Sequence, residues 1–141
     1  MPDVTLEVGD WTFDATLLPD EAPESVERFL DLLPLETTVK HVRWSGYAVF
    51  VEEFGEGSPD LTDLPRENHR VYPSRGDVLL YPGYENVPEI LLACGSTAFR
   101  SPAGELAGNH IAIVEDARSE LAALEVDVLE NGSKPITIRE A

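Results

Sequence analysis

The sequence predicts a mostly-β domain: a closed β-barrel of about eight strands capped by two helices, one early and one late. Three observations carry this. Short apolar runs recur along the 141 residues, several with period-2 spacing, separated by Gly, Pro, Asn and Asp turn signals. Two segments alone show helical spacing. Those two do not alternate with the strands, as a parallel α/β sheet would require.

The elements follow in order. Residues 4–18 hold two extended segments, with Thr5 and Glu7, then Trp11, Phe13 and Ala15, in alternation around a Gly9-Asp10 hairpin signal. Pro23 suits the first turn of a helix, and Glu21 and Glu24 suit its positive end. Val26, Phe29, Leu30 and Leu33 then form one apolar face that Pro34 ends. Residues 38–53 read as strand, Ser45-Gly46 turn, strand. Residues 55–74 form a Pro-, Gly- and Asp-rich loop long enough to suggest a role, and its second half, with Arg75 just after it, holds a basic cluster of Arg66, His69, Arg70 and Arg75. Three apolar runs, 78–81, 89–94 and 111–114, read as buried strands. Asp116 is placed to cap a second helix bearing Leu121, Leu124 and Val128 on one face, with Asn131-Gly132 as its left-handed stop. A last strand, 135–139, turns Ile136 and Ile138 inward. No repeat or linker divides the chain, so residues 1–141 are read as a single domain.

Composition excludes several classes. Ten Lys+Arg against 27 Asp+Glu leave a net charge of −17, which repels phosphate backbones and anionic lipid. Neither nucleic acid nor membrane is therefore expected as a partner. One cysteine, Cys94, permits no internal disulfide, and with no signal-peptide pattern the expected address is cytoplasmic. His41, His69 and His110 lack metal-ligand spacing, so no metal and no cofactor are expected. Cys94 lies in the apolar run Ile90-Leu91-Leu92-Ala93-Cys94 and reads as buried and inert. Phosphate-binding loops and hydrolase elbows are absent from the sequence. The oligomeric state is not legible.

Several strings, in order along the chain, resemble the cyclophilin family. Asp20-Glu21-Ala22-Pro23 through Phe29 is similar to its first helix. Leu106-Ala107-Gly108-Asn109-His110-Ile111-Ala112 resembles its Leu-Asp-Gly-Lys-His-Val-Val string, and Asn131-Gly132-Ser133-Lys134-Pro135-Ile136-Thr137-Ile138 its closing turn and strand. Trp44-Ser45-Gly46, Tyr72-Pro73-Ser74, Gly76-Asp77-Val78, Tyr81-Pro82-Gly83 and Ala107-Gly108-Asn109-His110 look like the small bacterial cyclophilin-like proteins of unknown function. The resemblance implies a cleft on the side of the barrel. It aligns Arg43 with the family's amide-polarising arginine, Tyr47 with its floor phenylalanine, Leu106 with its pocket leucine and His110 with its pocket histidine. The family's two glutamines fall on Phe50 and near Glu89, and its indole-bearing residue falls on Glu105.

Those departures remove two amide donors and an apolar wall, so an efficient prolyl isomerase is not expected. The reading is a domain that binds a small metabolite or short peptide. Arg43 and His110 carry the chemistry, and Tyr47, Phe50, Tyr81, Glu89, Phe99, Leu106 and Asn109 hold the ligand. Arg43 could instead pair with a surface acid, and His110 could be a hydrogen-bonded structural residue. Trp44 and Phe99 fit either core or pocket wall. A divergent prolyl isomerase using Arg43 and Tyr47 is one alternative. A small-amide hydrolase is another, and it needs Glu89, Glu105 or His110 to meet as a base.

Overall fold

Period-2 apolar patterning obliges each strand to bury one face, and the chain does so by wrapping its sheet into a ring. The computed structural model describes residues 3–55 and 57–141. Its elements are β1 (Val4–Val8), β2 (Trp11–Leu17), α1 (Pro23–Asp31), β3 (Leu35–His41), β4 (Gly46–Val51), β5 (His69–Arg70), β6 (Asp77–Tyr81), β7 (Glu89–Thr97), β8 (Arg100–Ser101), β9 (Gly104–Glu105), β10 (Gly108–Val114), α2 (Arg118–Asn131) and β11 (Lys134–Glu140). Eight strands run β2-β1-β11-β3-β4-β7-β6-β10, every pair antiparallel. The ring closes where Ala112 and Val114 of β10 pair with Leu17 and Ala15 of β2. A bulge between His110 and Ala112 divides β10, and its first residues also carry the two-residue β5.

Inside the ring, Val4, Leu6 and Val8 of β1 meet Phe13, Ile138, Val39, Val51, Leu80 and Leu92 in one continuous core. The helices close its ends. Val26 and Phe29 of α1, and Leu121, Leu124 and Val128 of α2, are all buried against it. Beneath α2, His41 Nε2 lies 2.6 Å from Glu125 Oε2, a buried pair that ties β3 to the helix. No helix among the described residues is long and apolar enough to cross a membrane.

The expected hairpin, helices and strands are present, with local differences. β3 begins at Leu35 rather than Thr38, because Leu35 pairs with Ile138 and fills the core. Asp116 does not cap α2. It takes a left-handed conformation (φ +55°) one residue too early, and Ala117 occupies the cap position without a side-chain bond. The small β8–β9 hairpin within 100–105 has strands too short to show alternation.

Candidate functional site

Alternation sends a second set of side chains outward from β4, β6 and β7. Ala48, Phe50, Leu79, Tyr81 and Leu91 join Val42, Phe99 and Leu106 in a separate buried cluster on the barrel's outer wall. Its rings meet edge to face: Tyr81 with Phe99 at 5.7 Å and 88°, Tyr81 with Tyr84 at 6.3 Å, Trp44 with Phe50 at 5.7 Å. Four of the residues singled out in the sequence, Phe50, Tyr81, Phe99 and Leu106, therefore do come together. They are also sealed, each no more than 4% exposed.

Trp44, whose ring packs on Phe50 of this cluster, lines an open concavity of about 400 Å³ together with Arg100, Ser101 and Pro102. Its two walls are stitched together. The Ser45 hydroxyl accepts the Arg100 amide at 2.9 Å, the Trp44 indole N–H donates to the Arg100 carbonyl at 3.1 Å, and the Ala98 amide donates to the Ser45 carbonyl. Gly46 makes the approach feasible: its φ is +123°, and a Cβ there would stand 2.4 Å from the Ser96 carbonyl oxygen. Trp44 is thus a rigidly held wall with 53% of its surface still exposed.

The other residues named from sequence lie around this centre. Arg43 is exposed on the Trp44 turn and has no ion-pair partner among the described residues. Tyr47 is exposed, its Cβ about 3.0 Å from the Cβ position that Gly95 leaves empty. Asn109 is buried and its amide is spent on structure: Oδ1 accepts the Glu67 amide, and Nδ2 donates to Ser25 Oγ and the Pro65 carbonyl. His110 is buried, with Nε2 3.1 Å from Asp77 Oδ1. Burial pushes the Asp77 carboxyl up, but the His110 ring, the Ser74 amide and Arg70 outweigh it and leave the group below its ordinary value.

Glu89 stands at the far end of the wall, paired in register with Tyr81. Burial, and then the charge of Glu52, push its carboxyl up to about 7, and no donor bonds it among the described residues. Glu105 is exposed and bonded to Tyr72, His110 faces Asp77 at the opposite end of β6, and Glu89 is beside Tyr81. The three do not form one base. Cys94 is buried and pushed up to about 12 by burial, then by Glu125, so it holds no thiolate near neutrality. Among the described residues no group of three or more His, Cys, Asp and Glu could hold a metal ion.

A family model for the DUF3830 proteins, a family of unknown function, matches residues 4–140. The chain belongs to that family. Nothing among curated proteins matches. Two solved structures are similar in fold. One, "Structure of McbB in complex with tryptophan", has a TM-score of 0.71 at 18% identity over 96% of this chain. This chain spans only 44% of that one. The other is the solution structure of the hypothetical protein AF2241 from Archaeoglobus fulgidus, with a TM-score of 0.60 at 16% identity, covering 99% of this chain and 95% of the other.

In this DUF3830 barrel, sequence reading missed the outermost parts of the site. Arg100, Ser101 and Pro102 belong to a polar segment with no periodicity. One signal was available: an aromatic directly before Ser45-Gly46 occupies a turn tip, where side chains face solvent. Chemically the concavity offers an indole face, a proline ring, a hydroxyl and a guanidinium. That set stacks and pairs; it includes no base to activate the hydroxyl.

Proposed function

We propose that residues 1–141 act as one cyclophilin-like domain that binds a small metabolite or short peptide segment on the outside of the barrel, without efficient prolyl isomerase activity. The observation that carries this reading is the concavity of about 400 Å³ beside the half-exposed Trp44, whose ring packs on Phe50 of the buried cluster. Small-molecule sites have this size and this mixture of apolar wall and few polar groups. A similarly folded protein has been solved with tryptophan bound, which fits a small planar ligand. The isomerase alternative has less support, because the positions that would admit a proline ring are occupied by Phe50, Tyr81, Phe99 and Leu106. The hydrolase alternative lacks an assembled base.

The test is a thermal-shift panel of aromatic metabolites and short peptides on the wild-type protein and Trp44→Ala. Compounds that raise Tm in the wild type should lose that effect in the variant, while its unliganded Tm stays close to wild type. Shifts that survive the substitution would move the site elsewhere.

A further inference from the structure

Arg100 stands opposite an acid with which it does not pair. Arg28, Lys40, Lys134 and Arg139 each take a carboxylate within 3.2 Å. Arg100 is exposed on the rim of the concavity and takes none among the described residues, although an acid stands directly opposite it. Across the β8–β9 hairpin its register partner is Glu105. Opposite charges in that position ordinarily meet, with Cβ atoms roughly 4.5–5.5 Å apart. Here Glu105 turns away, because its Oε2 accepts the Tyr72 hydroxyl at 2.7 Å. The phenol is raised above its ordinary range by this bond and by the carboxylate's charge, so it stays protonated and keeps donating. Beside Arg100, Ser101 Oγ accepts the Ala103 amide, which leaves its own O–H free to donate.

We infer that the ligand over Trp44 is a flat ring bearing a carboxylate, paired by Arg100, and that Tyr72 is a positioning residue that keeps Glu105 from occupying that guanidinium. The inference rests on the proposed function and adds the ligand's chemical class. The indole and Pro102 supply faces for the ring, and Arg100 with the Ser101 hydroxyl supplies the donors that a carboxylate needs. A cationic or amide-terminated ligand of the same shape would stack without that pairing. In Tyr72→Phe the Glu105 carboxylate loses its donor and is free to turn to Arg100, filling the anion's place.

Isothermal titration with indole-3-acetate and its uncharged isostere indole-3-acetamide separates these ideas. The wild type should bind the acetate about tenfold more tightly than the acetamide. Tyr72→Phe should abolish that preference while leaving the acetamide Kd unchanged. Tyr72→Phe/Glu105→Gln should restore it, an outcome that a merely structural Tyr72 would not produce. Equal wild-type affinities would overturn the carboxylate assignment and leave the binding site standing. A preference that persists in Tyr72→Phe would overturn the role of Tyr72. Binding of neither probe would remove the site itself, and the inference with it.

Discussion

The barrel's interior and its outer aromatic cluster are both buried, yet they are built differently. The interior draws on every strand of the ring and both helices, and its members are mostly aliphatic. The outer cluster draws on a few neighbouring strands plus Val42, Phe99 and Leu106, and rings account for three of its eight members. Regular elements enclose the interior; a turn and a short hairpin cover the cluster, held by the bonds of Ser45. Their buried acids differ as well. Inside, Glu125 has His41; outside, Glu89 has no hydrogen-bond donor among the described residues. The contrast teaches a division of labour. The interior fixes the fold, and the irregular cover can change residues without reopening the ring, which is where binding surfaces evolve.

Substitutions can break or sharpen that contrast. The largest effect is expected inside: Phe29→Ala should lose about 3–5 kcal/mol in urea unfolding, because strands and helix cannot close around the gap. Phe99→Ala should cost less, about 2–3 kcal/mol, since the covering segment can settle. Equal losses would erase the distinction. Next is the inner acid. His41→Ala should cost about 3 kcal/mol by leaving Glu125 buried and unpaired, whereas His41→Leu/Glu125→Leu should recover most of it. If the double variant is as unstable as the single, the pair is not the reason.

The outer acid gives a pH signature. Glu89 is raised from 4.5 to about 7 in the folded protein, so between those values the folded state holds a proton that the unfolded chain releases. Its contribution therefore falls as pH rises from about 4.5 to 7 and is level on either side of that window. Glu89→Gln should flatten the slope and gain about 2–3 kcal/mol at pH 8 relative to the wild type. Parallel stability curves for the two proteins would place Glu89 in water.

Much of the fold was legible because its signals are local. Alternation marked the strands, Gly9-Asp10 the first hairpin, and Pro23 and Gly132 the helix ends. Closure was inferred only from strand count, since the β2–β10 seam joins residues about a hundred positions apart. Asp116 misled because capping residues and left-handed turn residues share the same chemistry. The site was half legible. Phe50, Tyr81, Phe99 and Leu106 are apolar at outward-facing or covering positions, so the resemblance could group them. Whether a grouped ring lines a pocket or fills it depends on packing that no spacing encodes. The proposed role of Arg100 was not legible because it turns on which partner Glu105 takes, and Glu105 bonds Tyr72 rather than its register partner Arg100.

One contact carries a consequence for the order in which the chain assembles. The nine-residue α1 is among the most local structures in the protein, and a helix that short is marginal alone. Its cap residue Ala22 supplies no side-chain bond; the Ser25 amide instead donates to Glu67, 42 residues later, and Ser25 Oγ accepts from Asn109, 84 residues later. The bonds that complete α1 therefore come from the loop and from β10, both of which follow it in the chain.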